Sequence, residues 1–385
     1  MSKPIYLDYN ATTPIDPGVR EAMFPYLEEH FGNPSSSHAY GQPAKEAVEL
    51  AREQVAALIG ARSEEIVFTS GGSESDNHAI IGAALANIQR GKHIITSRLE
   101  HPAVINTCHY LEKRLGFRVS YLPVDGYGVV NPEDVHRAIT KDTILITVMH
   151  TNNEIGTIEP IEEIGKMAKE QGILFHTDAA QSCGKIEVDV NRLRVDLLTI
   201  AGHKLYAPKG IGTLFVRSGV QIDPIVHGAG QERGCRAGTE NVPYIVGLGA
   251  ACDIARHALP DYETNVKLMR DELHAKIVEG LGDNMVRLNG HPEKRLPNTL
   301  NISIRGIVGE ELLGQIPEIA ASTGAACHAG STDPSNVLLE IGLDRELALG
   351  ALRLSLGRWT TQEEIDMAGK LIVERVKSLA LQPKK

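Results

Sequence analysis

From about residue 45 to residue 260 the chain alternates between two hydrophobic rhythms. "AKEAVELAREQVAALIG" spaces its apolar residues three and four apart, which predicts a helix ending at Gly60. "EIVFTS" predicts a short strand, "ESDNHAIIGAALANIQRG" a helix closed by Gly91, and "HIITS" a strand. "HPAVINTCHYLEKRLG" continues as a helix, "RVSYLPV" as a strand, "NPEDVHRAI" as a helix and "TILITVMH" as a buried strand. A helix at "IEEIGKMAKEQG" then leads to strands at "ILFHTDAA", "DLLTIAG" and "IGTLFVR". Strands separated by helices predict a mostly parallel sheet covered on both faces. Such sheets bind ligands in the crevice beyond the carboxyl ends of their strands.

After about residue 255 the texture changes. "DYETNVKLMRDELHAKIVEGL" reads as a long amphipathic helix. "TLNISI", "GEELLGQI", a loop around Cys327, "RLSLG" and a last helix, "TQEEIDMAGKLIVERVKSLA", follow and suggest a smaller α+β unit. The first fifteen or so residues are expected to pack against it. The expected division is a large domain over 16–258 and a small domain formed by 1–15 and 259–385. There is no internal repeat and no low-complexity tract.

Composition narrows the class. A chain of 385 residues is long for one core, which fits two domains. The 42% hydrophobic and 23% charged residues are ordinary for a globular protein. A net charge of −10 argues against nucleic acid as a partner. No apolar run reaches the about 18 residues that span a bilayer, and "MSKPIYLDYNATTP" lacks a basic segment leading into an apolar one. The expected location is the cytoplasm, away from membranes. Cys108, Cys183, Cys235, Cys252 and Cys327 are odd in number and contain no CxxC, which argues against a common zinc motif or a disulfide scaffold. No metal site is expected.

The chemistry gathers where strands end. After "IVFTS" come Gly71, Gly72 and Ser73, then a helix whose free N–H groups and positive dipole end suit a phosphate; an ordinary N-cap reads the same way, and no P-loop lysine follows. After "HIITS" come Glu100 and His101, whose imidazole can cap a helix, stack on a ring or carry protons near neutral pH. Asn152, Asn153 and Glu154 follow "TILITVMH", and Asp178 and Gln181 close "ILFHTDAAQ". A buried carboxylate needs a cationic partner, either in a structural ion pair or on the ring nitrogen of a heterocycle. Gly202, His203 and Lys204 end "DLLTIAGHK". An ammonium beside a buried strand is costly without a partner, and in a partly dry site it becomes a usable amine nucleophile. A phosphate cradle, a ring-nitrogen carboxylate, a stacking group and an amine together fit pyridoxal 5′-phosphate, bound to Lys204 as a Schiff base.

These residues lie in a series of ordered motifs: "YLDYNATTP", "FGNPSSSHAYG", "EIVFTSGGSESDN", "EHPAV", "HTNNEIGT", "HTDAAQSCGK", "GHKLYAPKGIG", "RAGTEN" and "RLSLGR". From about residue 5 to 375 the series resembles the cysteine desulfurases of iron–sulfur cluster assembly, in the class V branch of fold-type I pyridoxal-phosphate enzymes. The resemblance implies an aspartate-aminotransferase-like α/β fold, with a mostly parallel seven-stranded sheet in the large domain. It also implies a role for each matching residue. Lys204 holds the cofactor covalently, His101 stacks on its ring and assists proton transfer, Asp178 pairs with the ring nitrogen and Gln181 bonds the phenolic oxygen. Gly72, Ser73 and His203 bind phosphate, with Ala201 and Gly202 beside them. Thr239 reaches the phosphate of a neighbouring subunit, so a homodimer is implied. Asn153 and Arg353 hold the substrate carboxylate, a task that suits a guanidinium. Ala201 is a departure: relatives often carry a serine there, so only backbone can serve. Ser73 replaces the threonine of some relatives.

"STGAACHAGSTDPSNVLLEIGL" separates the competing activities. Lone cysteines are commonly buried small hydrophobes, but Gly324, Gly330 and Pro334 argue against a packed position for Cys327. The resemblance implies that Cys327 attacks the sulfur of L-cysteine, leaving alanine and a persulfide to pass to an acceptor such as an iron–sulfur scaffold protein. The attacking form is the thiolate. His328 stands where many relatives have a hydroxyl residue, either as an exposed loop residue or as a group that lowers the thiol pKa. The stretch also resembles selenocysteine lyases, which makes L-selenocysteine the alternative substrate. A pyridoxal-phosphate aminotransferase, which needs no thiol, is the more distant alternative.

Overall fold

The computed structural model describes residues 3–324 and 333–380. Its strands are β1 (Ile5–Tyr6), β2 (Ile66–Thr69), β3 (His93–Ser97), β4 (Arg118–Leu122), β5 (Thr143–Thr147), β6 (Leu174–Asp178), β7 (Leu197–Ala201), β8 (Gly212–Val216), β9 (Val286–Leu288), β10 (Thr299–Ile304), β11 (Ile319–Ala320) and β12 (Ala351–Ser355). The central sheet has seven strands in the order β2-β8-β7-β6-β5-β3-β4. β4, β3, β5, β6 and β7 run parallel, and β8 is antiparallel to both neighbours. Because β8 reverses between β7 and β2, the carboxyl ends of β2, β3, β5, β6 and β7 share one edge.

β3, β5 and β7 are buried along their whole length, as expected of parallel strands covered by helices on both faces. The sheet order reverses at β3, which has β4 on one side and β5 on the other. The loops after β3 and β5 therefore diverge and open a crevice at the site-bearing edge.

The helix Gly41–Ile59 forms as its period predicts and ends at Gly60, with Ala44, Val48, Ala51, Val55 and Ile59 on its buried face. It packs on the helix Val242–Asp261, which the sequence reading did not separate out. That segment, "VPYIVGLGAACDIARHALPD", is apolar on nearly every side and shows no helical stripe, the mark of a buried helix. Its small residues allow the close approach: a Cβ on Gly249 would lie 2.6 Å from the Ala51 Cα. A single π turn, Tyr262–Val266, carries the chain past Pro260 into the helix Lys267–Leu281.

A second core contains Leu7, Leu273, Ile277, Leu300, Ile302, Leu352, Leu354, Ile365 and Ile372. There β10 is flanked by antiparallel β12 and β9, and the helices Lys267–Leu281 and Gln362–Ala380 pack together. The N-terminal segment joins this core: β1 pairs with β11, and the Ser355 N–H donates to the Leu7 carbonyl at 2.7 Å. The same segment then crosses to the central sheet, where the Thr13 N–H donates to the His203 carbonyl at 3.0 Å. Residues 8–13 thus run along the crevice.

Candidate active site

The crevice is a cleft of about 1290 Å³, and the strand-end residues meet in it. At one end β2 turns through Gly71 into the helix Gly72–Ala86. Gly71 has φ 150° and ψ −180°, a conformation open to glycine and costly for residues with a Cβ. Among the described residues no side chain caps this 15-residue helix. Its first N–H groups face the cleft beside Ser73, so the dipole end is free to take an anion. Ala201 closes the floor: a Cβ on Gly72 would lie 3.2 Å from the Ala201 methyl. His203 stands alongside, its Nδ1 3.2 Å from the Thr12 hydroxyl. Burial, then the charges of Lys204 and Lys209, push its pKa down to about 4. It is therefore a neutral hydrogen-bonding group at physiological pH.

Asp178, the last residue of β6, is buried and also lines the cleft. Its Oδ1 accepts the Ala180 N–H at 2.8 Å. Burial raises its pKa, while His101, the Ala180 N–H and Lys204 favour the charged form. A second buried carboxyl, Asp76, also lines the cleft. Its Oδ1 has no hydrogen-bond partner among the described residues and sits 3.7 Å from His176 Nε2. Burial, then the charge of Asp178, raises its pKa well above the ordinary range. Asp178 has the Ala180 N–H and the Lys204 ammonium to favour its anion, where Asp76 has the Thr199 hydroxyl and is opposed by Asp178, so Asp178 is the more readily ionised of the two.

His101 caps the helix Pro102–Leu115: its Nδ1 accepts the Ala103 N–H at 3.2 Å. Burial, opposed by Asp178, lowers its pKa, and Lys204 lowers it further. The accepting Nδ1 leaves the proton on Nε2. Gln181 Nε2 donates to the Asn10 carbonyl at 3.0 Å, and its Oε1 accepts from Lys185 Nζ at 2.7 Å, which fixes the amide. Lys204 ends the 3₁₀ turn Gly202–Lys204, and its Nζ donates to the carbonyls of Asn10 at 2.5 Å and Ala11 at 2.7 Å. The amine is held by two backbone oxygens within the cleft that contains Asp178.

Asn153 and Arg353 line the cleft on the side of the second core. Arg353, in the middle of β12, donates from Nη1 to the Asn153 carbonyl at 3.2 Å and from Nη2 to Asp8 Oδ1 at 2.8 Å. Gly202 lies behind the cleft wall, where a Cβ would meet Ile211 at 2.8 Å. Thr239 does not line the cleft. Cys327 and His328 lie outside the described residues.

Sequence reasoning missed Asn10, the hub of the site. Its Oδ1 accepts from Asn298 at 2.9 Å and from Lys185 at 3.2 Å, and its Nδ2 donates to Thr299 at 2.8 Å. It also missed Asp8, Asp76 and Lys185. The signal for the first two was their place inside "YLDYNATTP" and "SESDN", motifs whose polar residues have no helical or strand period to explain them.

An uncapped helix end, a buried carboxyl beside a lysine amine and a histidine in one cleft suit an anionic, ring-bearing aldehyde cofactor, and these residues fit pyridoxal 5′-phosphate. The chain belongs to the aminotransferase class-V family, whose model matches residues 5–367. It is 50% identical over 381 residues to the cysteine desulfurase IscS of Methanosarcina thermophila, covering 98% of this chain and 93% of that protein. A NifS-like protein of known structure superposes with a TM-score of 0.90 at 39% identity, over 97% of this chain and 100% of that one. SspA in complex with cysteine superposes with a TM-score of 0.81 at 40% identity, over 92% and 99%. Within its family the chain is a pyridoxal-phosphate-dependent cysteine desulfurase.

Proposed function

We propose that the enzyme moves sulfur from L-cysteine onto Cys327 and from there to an acceptor. The Cys327 thiolate forms a bond to the substrate sulfur as the substrate carbon–sulfur bond breaks. The electron pair of that bond goes to carbon, which takes up a proton. Alanine leaves, and Cys327 holds the persulfide. When bound, pyridoxal phosphate supplies the electron sink for the charge that develops on carbon. The surrounding side chains have distinct tasks. Asp178 keeps a negative charge opposite the ring nitrogen, and Gln181 presents a fixed N–H. His101 holds a proton on Nε2, in position to pass it to or from the reacting groups. Asn153 and Arg353 orient the carboxylate. The observation that carries this reading is the meeting of Lys204, Asp178, His101 and the uncapped helix end in one cleft.

The same reading includes a homodimer in which Thr239 completes the partner's phosphate site. Thr239 lies outside its own cleft. Phe31 and Tyr40 are 73% and 64% exposed with ring centroids 5.6 Å apart, an apolar patch suited to a second copy. The acceptor is a thiol-bearing or cluster-building protein, such as an iron–sulfur scaffold. The compartment is the cytoplasm, in keeping with four free cysteines among the described residues; no described helix is long and apolar enough to cross a membrane.

The test is incubation of wild-type and Cys327→Ser holoenzyme with L-cysteine, and separately with L-selenocysteine. Alanine and the mass of the Cys327 peptide are measured. The reading expects alanine from cysteine together with one added sulfur on Cys327, and loss of both in the variant. Full turnover of cysteine by Cys327→Ser overturns it. Turnover confined to selenocysteine would establish the lyase alternative.

A further inference from the structure

Arg353 already holds a carboxylate. Asp8 Oδ1 accepts from its Nη2 at 2.8 Å, and the arginine side chain is 3% exposed against 21% for the aspartate. Asp8 is firmly placed: its carbonyl accepts the Ala11 N–H at 2.9 Å and the Tyr6 hydroxyl at 3.1 Å, and it bridges to Ser355 on β12. It is the carboxylate within ion-pairing distance of Arg353 among the described residues. The guanidinium that faces the cleft beside Asn153 is thus partly neutralised before any amino acid arrives.

We propose that Asp8 is an affinity-setting residue, whose charge on Arg353 weakens the grip on an amino acid's α-carboxylate so that product can leave. The inference rests on the assignment of Arg353 to that carboxylate. Cysteine and alanine carry the same carboxylate, so a full-strength grip would hold both alike. Binding substrate, transition state and product equally lowers KM without lowering the chemical barrier, and it slows product release. A fixed like charge beside the binding arginine opposes the incoming carboxylate. The Asn153 carbonyl and Asp8 together also keep the guanidinium plane aligned, so alignment does not require the ion pair alone.

The experiment titrates L-alanine into cofactor-loaded wild-type, Asp8→Asn and Arg353→Lys proteins and follows the cofactor absorbance. Ethylamine, which has the amine but no carboxylate, is the control ligand. Asp8→Asn is expected to bind alanine about five-fold more tightly, the scale of one partly screened like-charge contact. Its ethylamine affinity should match wild type, and KM for cysteine should fall without a rise in kcat. Asp8→Ser repeats the measurement with a smaller neutral side chain if the amide variant does not fold. Equal or weaker alanine binding by the neutral variants overturns the inference, provided Arg353→Lys weakens alanine binding. If Arg353→Lys leaves alanine binding unchanged, the assignment of Arg353 itself fails.

Discussion

His101 Nδ1 accepts the Ala103 N–H at 3.2 Å, so one imidazole both caps the helix Pro102–Leu115 and faces the cleft. The two roles can be separated. Asparagine can cap a helix but cannot carry a proton near neutral pH. His101→Asn should therefore unfold within a few degrees of wild type while losing about 10²–10⁴-fold in kcat. His101→Ala should lose the same activity and about 1 kcal/mol of stability as well. Thermal melts beside steady-state rates would check this; equal stability of the two variants would remove the cap from the account.

Ala201 leaves the proposed phosphate end of the cleft without a side-chain hydroxyl from β7. Its methyl lines the cleft and abuts Gly72. Ala201→Ser places a donor where the anion is expected. One added hydrogen bond to a charged group is worth about 1.5–3 kcal/mol at most, so cofactor retention in dialysis should rise several-fold or more. Unchanged retention would mean that the hydroxyl does not reach the phosphate.

The central sheet and most of the site were legible in the chain because both depend on local order. Strand period, glycine stops and the polar residue after each strand lie within a few positions of one another. Asn10 and Asp8 escaped because their partners are remote in sequence: Asn298 and Arg353 reach them through the fold. Lys185, in "SCGK", carries no local sign of burial and is 3% exposed. Its burial depends on the N-terminal segment lying across the crevice, which no short window encodes. The helix Val242–Asp261 escaped for the opposite reason: it is buried on too many sides to show a stripe.

Asp178 and Asp76 both line the cleft, and Asp178 is the more readily ionised of the two. Asp178→Asn removes the carboxylate proposed to face the ring nitrogen, and turnover should fall by several orders of magnitude. Asp76→Asn replaces a protonated carboxyl with a neutral isostere, so the cofactor spectrum should be retained and activity should stay within about ten-fold of wild type, a change of about 1.4 kcal/mol. Absorbance spectra and rates of the two variants decide it. Comparable losses would place the charge on both.

Glu232 ties the segment carrying Arg236 and Thr239 to the central sheet. Its carboxylate takes two bonds from Arg52, at 2.8 and 3.1 Å, and the Phe68 N–H at 2.9 Å, with both side chains under 5% exposed. Glu232 and Arg233 are both left-handed, with φ 47° and 57°, a conformation that contacts such as these must hold in place. Glu232→Ala leaves the buried Arg52 guanidinium with the half-exposed Glu49 carboxylate and the Ile66 carbonyl as partners, at a cost of about 3 kcal/mol. Nearby, Arg236 pairs with Glu74 at the start of the uncapped helix, so cofactor retention should fall with stability. Urea unfolding measured with cofactor dialysis tests both parts.

Glu100 connects pH to stability. It is buried, accepting the Ser97 hydroxyl at 2.6 Å and the Met149 N–H at 3.0 Å. Burial, with the nearby charge of Asp178, pushes its carboxyl up to about 8 from an ordinary 4.5. Between those values the folded protein holds a proton that the unfolded chain has released. Stability supplied by this group is therefore complete below about 4.5 and is lost as pH rises through about 8. Glu100→Gln cannot ionise and loses nothing over that range. Its stability relative to wild type should thus rise steadily from pH 5 to pH 8 and level off above, whatever constant offset the amide introduces. Unfolding of both proteins in urea at a series of pH values measures the difference. A difference that falls with pH would mean that the Met149 and Ser97 donors hold Glu100 ionised, and that burial is the weaker influence.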